Sequence, residues 1–132
     1  MAIKLNDPLR SAIVNAGIVG YLGTSAILTV YNGVQAANAG DAATGSPLVQ
    51  ISGITWNTGT NGTALITGTK TGTAGTAGTA TWARLSSADG TTYVMDGNCG
   101  TASTSDFVID TAAIALSSVV SLTAATIVQP AS

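Results

Sequence analysis

Two spacings of apolar residues divide this chain near residue 25. Upstream, Leu9, Ile13 and Ala16 recur at helical intervals, and Ile18 and Val19 widen the stripe. Asp7 suits an N-cap and Pro8 the first helical position, while Gly17, Gly20 and Gly23 mark an end. The spacing predicts a helix over 7–19. So short a helix is marginal alone, so it must dock on the rest of the chain or on a neighbouring subunit.

Downstream the text turns to β-formers broken by Gly, Asn and Asp. Strands are predicted at 26–31, 48–56, 64–67, 107–110 and 119–128. A long Ala/Gly/Asn/Asp loop, 34–46, separates the first two. Asn61-Gly62 reads as a hairpin turn. The clearest hairpin is 79–95: TATWARLS, a turn at Ser87-Ala88-Asp89-Gly90, then TTYVM. Asp96-Gly97-Asn98 reads as a closing turn. Residues 67–81, TGTKTGTAGTAGTAT, fit either a flexible loop or exposed strands, and a strand pair with a soft tip is the preferred reading.

Many short strands with closely spaced turns point to an all-β sandwich or a small barrel. The inter-strand segments lack the helical period a parallel α/β fold needs. The expected fold is therefore an antiparallel β-sandwich, jelly-roll-like, with one short N-terminal helix. Residues 1–24 form the N-terminal helical arm and 25–132 the sandwich domain. The arm's apolar stripe is expected to make intersubunit contacts while the β-body folds without it.

Composition changes the picture by what it omits. The 132 residues include no His, no Glu and one Cys, and only 8% are charged. Soluble domains average about 25%. Most enzymes need a proton-transfer group or metal ligand at the reacting centre, so this chain argues for a structural part. The low charge argues for a surface covered by other copies or by another protein. A net charge of −2, with Lys4, Arg10, Lys70 and Arg84 far apart, makes no case for nucleic acid or an anionic membrane. No stretch is apolar for long enough to span a bilayer, and the start lacks the form of a signal peptide.

The motifs that could carry chemistry fail on spacing. Gly68-Thr69-Lys70-Thr71 interrupts the Gly-Lys step of a phosphate loop, and no G-x-G-x-x-G occurs. Asp89, Asp96, Asp106 and Asp110 fit turn positions better than a calcium loop. The aromatics are too dispersed to line a glycosidase cleft. Cys99 cannot form an intrachain disulfide and has no His to activate it. Thr-x-Thr repeats lack the solenoid period of an ice-binding face. No catalytic residue, cofactor or metal is expected. Trp82 and Arg84 alternate on one strand face, with Tyr93 and Met95 expected opposite. Trp82 reads as core in preference to an intersubunit anchor. Arg84 reads as half of an ion pair with Asp96. The candidate interface is Leu9, Ile13, Ile18 and Val19, with Trp82 and Arg84.

The layout also resembles small structural proteins of tailed bacteriophages. The segments that carry the likeness are MAIKL…LRSA at the start, VYNG at 30–33 and TGSPLV at 44–49. Two more follow: WARL…DGTTYVMDG at 82–97 and VVSLT…IV at 119–128. The resemblance implies a head decoration, or cement, protein with a sandwich or jelly-roll body on the capsid exterior. It would be made in the host cytoplasm, bind the major capsid protein and associate with itself, as a trimer in preference. A tail, neck or fibre component, or a carbohydrate-binding β-sandwich module, is the alternative.

Overall fold

In the computed structural model of the protein, residues 3–23, 25–57, 62–88 and 93–128 are described, without the side chains of Ile18, Val19, Tyr21, Tyr93 and Val94. Asn61, the Asp89-Gly90 turn and residues 91–92 of the expected hairpin lie outside them.

The body is all-β with one short N-terminal helical segment, as expected. Its strands are β1 (Ala26–Tyr31), β2 (Pro47–Ile54), β3 (Thr63–Leu65), β4 (Lys70–Thr73), β5 (Gly78–Thr79), β6 (Trp82–Ser86), β7 (Tyr93–Gly100), β8 (Phe107–Ile109), β9 (Ala113–Ile114) and β10 (Val119–Val128). The main sheet runs β2-β1-β6-β7-β8-β10-β3, with β4 also on β10. This single sheet curls until its ends meet. Trp56 and Ile66 form an antiparallel bridge, flanked by Asn57 N–H to the Leu65 carbonyl (2.8 Å) and Thr67 N–H to the Thr55 carbonyl (3.0 Å). The ring of backbone hydrogen bonds thus closes around one core, in a sandwich-like barrel.

Inward alternation builds that core, and bulges keep it in phase. Ala26, Leu28 and Val30 of β1 are buried at every second position. On β10 the even positions Val120 and Leu122 point inward, then the odd positions Ala125 and Ile127. A register shift between Leu122 and Ala124 causes the change. On β2 the shift falls beside Gly53, whose φ of +71° suits glycine. It moves the inward position from Ile51 to Ile54. Where the ring closes, Gly72 of β4 lies so near the Gln50 carbonyl of β2 that any Cβ would collide with it.

Three local expectations are corrected. The segment 67–81 does not pair with itself: β4 joins β10 and β5 joins β9. Asp96-Gly97-Asn98 is not a turn but the middle of β7. One pair, β7–β8, is parallel, Cys99 facing Phe107. The short 101–106 connection allows this because it doubles back on itself. Asn98 N–H donates to Asp106 Oδ2 (3.0 Å) and Asp106 N–H to Asn98 Oδ1 (2.6 Å), which fixes the crossing.

The N-terminal segment is not a free arm. It comprises α1 (Asp7–Ala12), a π-wound stretch (Ile13–Val19) and α2 (Gly20–Leu22). The cap is Asn6, not Asp7; its side chain accepts from Leu9 N–H at 3.1 Å. Asp7 instead pairs with Arg10 across one turn, at 2.7 Å. Among the described side chains here, the buried ones are Val14 and Leu22, both part of the barrel core. In an α-helix eight residues leave a pair about 80° apart. The wider π winding, with Gly20 N–H reaching the Asn15 carbonyl five residues back, draws Leu22 towards the face of Val14. Of the predicted stripe's described side chains, Leu9 is 48% exposed, Ala16 is exposed and Ile13 is half-buried.

Candidate functional site

Among the described side chains, the proposed interface residues do not form one surface. Leu9 and Ile13 lie on the helical segment, Leu9 exposed and Ile13 half-buried. The side chains of Ile18 and Val19 lie outside the described set. Trp82 and Arg84 are 1% and 2% exposed, so neither can anchor a partner without the chain opening. Trp82 is buried, as the core reading expected, but on the sheet face away from the main core, and the ion pair expected at Arg84 is present.

These two residues organise the outer face of the sheet. Ala83 and Leu85 of β6 turn into the core, so Trp82, Arg84 and Ser86 point the other way. Trp82 stacks on Tyr31 with centroids 4.5 Å apart and 15° between planes. Its indole N–H donates to the Asn32 carbonyl at 3.1 Å. The Arg84 guanidinium lies 5.4 Å from the Trp82 ring centroid. It grips Asp96 with two bonds, Nε to Oδ1 at 2.8 Å and a terminal NH₂ to Oδ2 at 3.0 Å. The residues expected opposite, Tyr93 and Met95, are displaced: Arg84 faces Asp96 and Trp82 faces Asn98. Met95 instead packs against the core.

Cys99 is buried near the C-terminal end of β7, and burial pushes its thiol up to about 12. At neutral pH it is a protonated packing group, not a nucleophile. Because the folded pKa lies above the ordinary 9.0, the unfolded chain releases this proton first as pH rises. Folding stability should therefore fall between pH 9 and 12, by up to ~1.4 kcal/mol per pH unit. Cys99→Ala should flatten that slope in alkaline denaturation curves. Native protein should react with a thiol reagent only as fast as it unfolds.

The barrel's rim at Asn32 carries a groove of about 570 Å³. Asn32, Gly33, Thr44, Gly45, Ser46, Thr79 and Thr81 line it. Asn32 builds one wall: its Oδ1 accepts Ser46 N–H at 2.7 Å. Thr44 donates to the Val34 carbonyl (2.6 Å) and Thr81 to the Gly33 carbonyl (2.7 Å), tying the 34–46 loop to the rim. Little in the sequence points to this groove, since its residues come from three separate segments, 32–33, 44–46 and 79–81.

Among the described residues no three His, Cys, Asp or Glu side chains gather as metal ligands. No helix among them is long and apolar enough to cross a membrane. Arg10 and Arg84 are engaged in ion pairs. Comparison with protein families, curated proteins and solved structures finds no match to the chain.

Proposed function

We propose that the protein is a non-enzymatic virion component of a tailed bacteriophage that decorates and stabilises the capsid from outside. Its partners in this reading are the major capsid protein and further copies of itself. The observation that carries it is the surface. Ile3, Leu9, Val34, Leu65, Leu116, Val119 and Val128 are large apolar residues left at least 48% exposed, on a chain of only ten formal charges. Such a surface supports association by apolar burial and gives ion pairs little part. The resemblance at 82–97 and 119–128 supports the phage setting.

Counting copies in purified particles tests the reading. A decoration protein should be present in numbers comparable to the major capsid protein. It should also stay bound between roughly 50 and 500 mM salt, a range that shortens the screening length several-fold. A handful of copies per particle points to tail, neck or fibre instead. Release at moderate salt would mean that the contact is electrostatic, against this reading.

A further inference from the structure

The rim groove holds unspent hydrogen-bonding capacity of one chemical kind. Asn32 Oδ1 is engaged with Ser46 N–H, but its Nδ2 group has no partner among the described residues. The hydroxyls of Ser46 and Thr79 likewise make no bond within the described chain, and both line the groove. Thr44 and Thr81 donate to backbone carbonyls at 2.6 and 2.7 Å, which fixes their oxygens and leaves their lone pairs free to accept. Donors and acceptors therefore converge on one site, with none of the lining residues charged.

That lining selects its ligand. Absence of charge gives no reason for a phosphate, sulfate or carboxylate to enter. A peptide bound in extended form needs pockets for alternate side chains, and the lining is carboxamide, hydroxyl and glycine. Neighbouring hydroxyls that each donate and accept are the complement such a wall matches. Rigidity favours the same ligand. Trp82 bonds the Asn32 carbonyl, and Gly45 packs against the same carbonyl so closely that a Cβ there would collide with it. The groups are held before any ligand arrives, which reduces the ordering cost of binding.

We propose that this groove binds a neutral glycan, with Asn32 Nδ2, Ser46 Oγ and Thr79 Oγ1 as direct contacts. The inference stands apart from the virion reading, since it concerns the isolated subunit. On an assembled surface many weak sites of this kind would add through multivalency.

The test is titration of the isotope-labelled protein with maltohexaose, cellohexaose and a linear mannohexaose, followed by amide NMR. At least one should shift the Asn32 side-chain amide and the Gly33 and Gly45 backbone signals, with a Kd on the order of 1 mM. Thr79→Val removes one contact on an exposed strand and should weaken binding roughly five-fold. Its unchanged melting temperature would show that the fold is intact. Asn32→Asp keeps the Oδ1 acceptor while removing the Nδ2 donor, and should weaken binding similarly. The proposal is overturned by an absence of shifts with all three sugars. Shifts unaffected by both substitutions, or stronger shifts with an extended Thr/Ala peptide, overturn it equally.

Discussion

Asp96→Ala should cost about 3–5 kcal/mol of folding stability, the largest loss expected from any single polar residue here. The substitution leaves the Arg84 guanidinium, 2% exposed, without the carboxylate that accepts two of its bonds. Neither side chain of the pair is more than 3% exposed, so water cannot replace the lost partner. For a chain of this size the melting point should drop by roughly 12–20 °C. Arg84→Ala should cost a similar amount, since it strands the carboxylate and removes the group lying over Trp82. The informative variant is the double replacement Arg84→Met with Asp96→Leu. It removes both charges and keeps most of the volume, so it should recover much of either single loss. Urea denaturation of Arg84→Met, Asp96→Leu and the double variant beside the parent chain closes the cycle. A double variant as unstable as the sum of those two singles would show that the charges are not coupled, against this account.

Leu22→Ala should cost about 2–5 kcal/mol, whereas Leu9→Ala should change stability by no more than about 0.5 kcal/mol. Both leucines belong to the N-terminal helical segment, but only Leu22 enters the core, at 1% exposure. Losing its side chain opens a cavity against the barrel end. Deleting the whole segment would withdraw Val14 as well and should leave the barrel partly unfolded at room temperature. Chemical denaturation of the two alanine variants separates the possibilities. Equal, small effects would mean that the segment is a detachable arm after all. If Leu9→Ala weakens particle binding while stability holds, the exposed face of the helix is the contact.

The strand frame was legible where the text alternates strongly. Residues 26–31 and 119–128 are β-branched or apolar at regular intervals, and their predicted limits are those of β1 and β10. Partners were not legible in 67–81, because a run of Thr, Gly and Ala has no apolar face to fix its register. The hairpin was recognised, but its register slipped. The strands cross farther from the turn than a tight four-residue connection allows, and a bulge lies between Leu85 and Ser86. That slip moved Asp96 opposite Arg84 and Met95 into the core. The ion pair was still foreseen, since charged residues are so few that Arg84 had little choice. Helix phase was lost to the π winding, which no count at 3.6 residues per turn detects. The rim groove escaped because hydroxyls that line a site read like hydroxyls that face water.

The position of β10 in the ring sets an order on how the protein can be made. This strand follows every other one in sequence, yet it pairs with β8 on one side and with β3 and β4 on the other. Until residues 119–128 leave the ribosome, β4 has no strand to pair with, β3 has only the Trp56–Ile66 bridge beside it, and β8 is held by β7 alone. Synthesis at about 5–20 residues per second therefore delivers the keystone last. Closure then joins segments distant in sequence, a topology associated with folding in milliseconds to seconds. A nascent chain stalled before residue 119 would hold the β2-β1-β6-β7-β8 sheet open, and there nascent-chain chaperones would find their exposed apolar surface.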